Sequence, residues 1–87
     1  SDYASWQDKY GNNTFVNSSS YSGNVYRFQV DLNKWLSVNG YSKIDEDGKW
    51  GSKSAAATKT FQQAFSDLDN DGKAGPKTKE KLFNLYG

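Results

Sequence analysis

The stretch Ile44-Asp45-Glu46-Asp47-Gly48-Lys49-Trp50-Gly51-Ser52-Lys53-Ser54 returns 24 residues later as Leu68-Asp69-Asn70-Asp71-Gly72-Lys73-Ala74-Gly75-Pro76-Lys77-Thr78. Six of the eleven positions are identical, namely Asp45/Asp69, Asp47/Asp71, Gly48/Gly72, Lys49/Lys73, Gly51/Gly75 and Lys53/Lys77. The pairs Ile44/Leu68 and Ser54/Thr78 keep their chemical character. A segment used twice at a fixed offset reads as one local unit repeated, so both copies should share one geometry.

That geometry is legible from the residues. The single apolar residue, Ile44 or Leu68, pins each copy to a core. Asp and Asn favour turns because their side chains accept hydrogen bonds from nearby backbone N–H groups. Gly48 and Gly72 suit a site with positive φ. Gly51 and Gly75 stand where a helix N-cap is expected, and Pro76 suits a first helical position. Each copy is therefore predicted to be an ordered Asp-Gly loop that launches a helix.

With 87 residues, the chain is long enough for one small domain, which buries only about 60% of its unfolded surface. Hydrophobic residues are few, at 34%, but 16% of the chain is aromatic, so large rings must build the core. A net charge of +1 lacks the basic excess of a nucleic-acid or anionic-membrane binder. No apolar run approaches a membrane span, and no signal peptide is visible. A serine at position 1 suggests an excised fragment. There is no cysteine and no histidine, which removes the common nucleophile–base pairs.

Residues 1–24 are rich in Ser, Asn, Gly and Tyr and read as a linker. Tyr3, Trp6, Tyr10, Phe15 and Tyr21 are many rings for a free linker, so a partly docked extension is the other expectation. It would carry a short helical turn around Asp2 to Tyr10, stopped by Gly11. From about Ser22, Val25, Phe28, Leu32, Trp35 and Leu36 follow a helical period, ending near Asn39-Gly40. A second helix is predicted from Ser52, with Ala55, Thr58, Phe61, Gln62 and Phe65 inward and Lys53 and Lys59 outward. A third runs from Pro76 to about Tyr86, with Thr78, Leu82 and Leu85 inward, Phe83 flanking, and Lys77, Lys79, Glu80 and Lys81 toward water. The predicted fold is all-α, a compact three-helix bundle with two related Asp-Gly loops, occupying residues 25–87.

Phe28-Gln29, Leu32-Asn33, Gly40-Tyr41, Asp47-Gly48-Lys49-Trp50-Gly51, Ala55-Ala56, Phe61-Gln62, Asp71-Gly72-Lys73-Ala74-Gly75-Pro76-Lys77-Thr78 and Leu82 occur in this order. Together they resemble the three-helix peptidoglycan-binding domain found attached to bacterial and phage cell-wall hydrolases. The resemblance covers about residues 24–87. It implies a non-catalytic module that holds a tethered hydrolase, such as an endolysin or autolysin, on the cell wall. It also implies a monomer, no cofactor, an extracellular or wall-associated location, and peptidoglycan as partner through glycan or stem peptide, with neither nucleic acid nor membrane involved. Similar domains occur in the pro-segments of matrix metalloproteases. A protein-interaction or pro-segment module that ignores peptidoglycan is therefore the alternative.

Candidate contacts follow from chemistry. Sugar faces stack on exposed rings, which points to Tyr26, off the apolar face of its helix, to Tyr41 after the capping glycine, and to Trp50 in the first loop. Trp50 also fits as a core plug, since its counterparts in the resembled family are commonly apolar or aromatic. Asn70, Asp71 and Lys73 on the second loop suit charged stem peptides, and Lys53 and Lys77 suit their carboxylates. Gln29 and Gln62 are expected to hold loop backbone. Asp67-Leu68-Asp69-Asn70-Asp71-Gly72 mimics the opening of a calcium loop, but its twelfth position is Thr78 instead of Glu and its tenth is Pro76, so no metal site is expected.

Overall fold

The computed structural model describes residues 5–87. Its helices are α1 (Trp6–Tyr10), α2 (Gly23–Val38), α3 (Ser52–Gln63) and α4 (Pro76–Tyr86). Among the described residues there is no strand, only the isolated antiparallel bridges Phe15–Ala74 and Ser18–Trp50. The protein is an all-α bundle in which α2 packs against each of the other three helices.

The helix boundaries follow local chemistry. Ser22 caps α2 by accepting from the Val25 N–H at 3.4 Å. At the other end Gly40, with φ of 80°, lets the Tyr41 N–H reach back to the Leu36 carbonyl at 2.9 Å. Pro76 opens α4, where a missing N–H costs nothing.

Rings fill the interior, as the aromatic content requires. Phe28, fully buried, meets Tyr10, Phe15 and Trp50 edge-on or tilted, with centroids 5.4, 5.5 and 5.7 Å away. Trp35 meets Phe61 at 5.1 Å. Burying one such ring stabilises the fold by roughly 2 kcal/mol. Tyr10 and Phe15 belong to this same core although they lie within residues 1–24. The helical turn in that stretch is α1, capped by Ser5 and stopped at Gly11 with φ of 76°. Asp2 and Tyr3 lie outside the described residues.

The segment around residues 10–13 is held by polar groups beneath it. The Tyr10 hydroxyl donates to Asp31 Oδ2 at 2.5 Å, and Lys9 pairs with the same carboxylate at 2.8 Å. Burial, then the Asp31 contact, pushes the Tyr10 phenol well above its usual value. Lys79 donates through Nζ to the carbonyls of Tyr10 (3.3 Å), Gly11 (2.8 Å) and Asn13, with the Phe15 ring centroid 4.1 Å away.

Lys79 thus corrects one expectation, since it is fully buried instead of solvated. Leu85 corrects another, being 47% exposed. The covered face of α4 is Thr78, Lys79 and Leu82, flanked by Phe83 and Tyr86. That face is rotated from the predicted stripe because α1 and the following segment lie on that side of α4.

Burial pushes the Lys79 ammonium down to about 8 from 10.5. In that window the unfolded side chain still binds a proton that the folded one has released, so this group makes stability rise with pH from about 8 to 10.5. We expect Lys79→Met to lower stability by about 1–3 kcal/mol through its unpartnered carbonyls. The gap to wild type should widen as urea titrations are repeated from pH 8 to 10.5, and a constant gap would contradict the assignment.

Candidate functional site

Both Asp-Gly loops are built around a buried glutamine amide. Gln29, in the middle of α2, accepts the Gly48 N–H on Oε1 at 2.8 Å. Its Nε2 faces the Lys49 carbonyl (2.8 Å), Ser54 Oγ (3.0 Å) and Asp47 Oδ1 (3.3 Å). Gln62, near the end of α3, accepts the Gly72 N–H at 2.8 Å and the Asp71 N–H at 3.1 Å. Its Nε2 faces the Lys73 carbonyl (2.9 Å), Thr78 Oγ1 (3.0 Å) and Asp71 Oδ1 (3.1 Å). Two amide hydrogens serve three oxygens, so at least one is shared in each case. Reversing either amide would set its NH2 against the glycine N–H, and so the network defines the orientation.

The backbone obeys the same logic in both loops. Gly48 and Gly72 each have φ of 72°. A Cβ on Gly72 would stand 3.1 Å from the Ala55 carbonyl oxygen, and one on Gly48 would stand 3.0 Å from that of Ser22. Asp47 Oδ1 accepts the Lys49 N–H at 3.0 Å, and Asp71 Oδ1 accepts the Lys73 N–H at 2.9 Å. The Lys49 N–H in particular holds the Asp47 carboxyl below the ordinary carboxylate range. Its contribution is present above that range and is lost only as pH falls through the lowered value.

The loops differ in reach. Gln29 and Gly48 are 19 residues apart, whereas Gln62 and Gly72 are 10 apart. The longer first connection is fastened by Asn33. Its amide donates to the Ile44 carbonyl (2.8 Å) and Glu46 (2.9 Å), and its Oδ1 accepts the Ile44 N–H (2.9 Å).

Beside each loop runs an open groove. The first, of about 600 Å³, is lined by Asp45, Asp47, Lys49 and Lys53, with Asn17, Ser18 and Ser19 on another side. The second, of about 580 Å³, is lined by the corresponding Asp69, Asp71, Lys73 and Lys77, with Thr14 beside them. All of these side chains are exposed. Each groove thus offers two carboxylates and two ammonium groups to one ligand.

The six predicted contact residues fall in different places. Asp71 and Lys73 line the second groove, and Asn70 is exposed beside them. Trp50 borders the first groove but is only 2% exposed, with Phe15 and Phe28 against its ring. This corrects its use as a stacking platform, because a covered ring has no free face. Tyr26 and Tyr41 are exposed, at 39% and 51%, but border neither groove. Tyr41 instead lies stacked on Trp35, 5.7 Å away.

Sequence reasoning did not anticipate Thr14, Asn17, Ser18 and Ser19. They reach the grooves through bridges to distant loops, which leave no local periodicity. Two acids of the calcium-like stretch have separate partners, Asp67 with Lys81 at 3.0 Å and Asp71 with its own loop. Among the described residues no group of three acidic side chains is placed so that it could hold a metal ion.

Gln62→Ala removes the donors and acceptor that hold the second loop. We expect a loss of about 2–4 kcal/mol, from at least two buried groups left unpaired. Gln62→Glu should cost nearly as much, because it keeps the acceptor but sets a carboxylate against Asp71 and the Lys73 carbonyl. Denaturant unfolding and Gly72 amide exchange measure both effects.

A family model described as "putative peptidoglycan binding domain" matches residues 25–82. Neither the curated proteins nor the solved structures gave a match.

Proposed function

This chain belongs to the peptidoglycan-binding domain family, and from that membership we propose that its two loop-side grooves bind the polymer non-covalently through the stem peptides. The observation that carries the choice of peptide over sugar is the lining of the grooves. Each combines two Asp and two Lys side chains, and among the described residues the one ring at their border, Trp50, is covered. Stem peptides carry carboxylates and amines, which pair with such a lining, whereas a sugar face asks for an open aromatic surface.

Binding at shallow, wet grooves is weak per site, because exposed ion pairs contribute only about 0.2–1 kcal/mol each. Weak binding suits a targeting module. Joined to a cell-wall hydrolase, it would raise the effective concentration of that enzyme at its polymer without needing tight contacts. The location that follows is the cell wall. No helix among the described residues is long and apolar enough to cross a membrane. Within the proposal the module is a monomer, and the chemistry of bond cleavage belongs to an attached domain.

Purified sacculi test this directly. The protein should be depleted from the supernatant on sedimentation, and less so at high salt, because the contacts are exposed charges. Combining Lys53→Ala with Lys77→Ala should weaken binding about three- to tenfold without lowering the melting temperature. Absence of depletion at every wall concentration would reject peptidoglycan as ligand and favour a protein partner.

A further inference from the structure

The segment that precedes the family-matched region crosses both loops. Residue 15 bridges Ala74, and residue 18 bridges Trp50. These two partners occupy corresponding positions of the two loops, 24 residues apart in the chain. The Phe15 N–H donates to the Ala74 carbonyl at 3.1 Å. Ser18 and Trp50 exchange two bonds, at 2.9 and 3.0 Å.

We propose that residues 14–19 form a strap that joins the two grooves into one double site, which takes two stem peptides of the same glycan strand at once. This rests on the stem-peptide reading above and extends it in number and in the residues that select the ligand.

Three features carry it. The grooves are close in size, about 600 and 580 Å³, and five lining residues of one have identical counterparts in the other, four of them charged. Two sites of one chemistry match a polymer that presents one chemistry repeatedly. The strap also gives each groove a wall of its own, Asn17 to Ser19 on the first and Thr14 on the second. In the second, Thr14 Oγ1 stands 3.6 Å from where a Gly75 Cβ would lie. The two bridges are close together as well. Two residues, Val16 and Asn17, lie between the bridged Phe15 and Ser18, so those strap positions are at most about 11 Å apart.

The strap is anchored well enough to act as a wall. Phe15 is 7% exposed within the ring cluster, and Lys79 holds the Asn13 carbonyl just before it. Around the anchors, Thr14, Asn17, Ser18 and Ser19 remain exposed. A covalently paired ligand should therefore gain from simultaneous occupancy. The strap's hydroxyl and amide groups would meet uncharged peptide groups, while the Asp and Lys side chains meet the charged ones.

An amide-shift titration with a disaccharide-peptide, and then with a tetrasaccharide carrying two stem peptides, tests this. The single unit should shift two separate groups of signals, around Gly48 and around Gly72. Lys53→Ala should weaken only the first group and Lys77→Ala only the second. The two-peptide ligand should bind about tenfold tighter or more, at a stoichiometry of one. Asn17→Ala with Ser19→Ala should weaken the first group severalfold while the second group and the melting temperature stay unchanged. One shifted group, or equal affinity for both ligands, would overturn the double site while leaving peptidoglycan binding intact. No shift with either ligand, together with no depletion by sacculi, would overturn the peptidoglycan reading itself.

Discussion

A primary amide buried under a turn is the interaction on which this molecule depends. Gln29 and Gln62 are each almost fully covered, and each satisfies a glycine N–H, a lysine carbonyl and a hydroxyl on the following helix. One side chain thereby links the helix that carries it, the loop, and the first turn of the next helix. Without it, buried backbone groups would lack partners at about 1–3 kcal/mol apiece. A chain with so few apolar residues has little hydrophobic surplus to cover that loss. The glycines follow from the same constraint, since the positive φ lets the N–H turn toward the amide.

The second dependence is electrostatic and lies beneath the N-terminal segment. Asp31 accepts from Tyr10 and pairs with Lys9 and Lys34, and Lys79 donates to three carbonyls of residues 10–13. Burying an ammonium is costly, as the lowered Lys79 value indicates, but its carbonyl contacts and the Phe15 face offset part of that cost. The arrangement holds residues 10–13 against α4 and seats Tyr10 and Phe15 in the core. This is why the core extends beyond the span matched by the family, which begins at residue 25.

The proposed function draws on both. The amide-held loops hold their Asp and Lys side chains at the surface, and the anchored segment lies across the two loops. Using Trp50 as filling also decides the character of the grooves. With Phe15 and Phe28 against it, the ring stabilises the core and turns no open face to the grooves, whose exposed lining is mostly polar and charged. The exposed Tyr26 and Tyr41 do not replace it, since they border neither groove.

The sequence by itself determined the helices α2, α3 and α4, their capping residues, the turn character of the Asp-Gly loops and the family. These rest on interactions between residues a few positions apart, which periodicity and turn chemistry report directly. It also pointed to Gln29 and Gln62 as loop anchors, through their matching places after Phe28 and Phe61. Only the tertiary structure decided that Lys79 faces inward, that Trp50 is covered, and that Thr14 and Asn17 to Ser19 wall the grooves. The contacts responsible join residues up to 69 positions apart. A lysine on a helix looks the same in sequence whether water or three carbonyls of a distant segment await it.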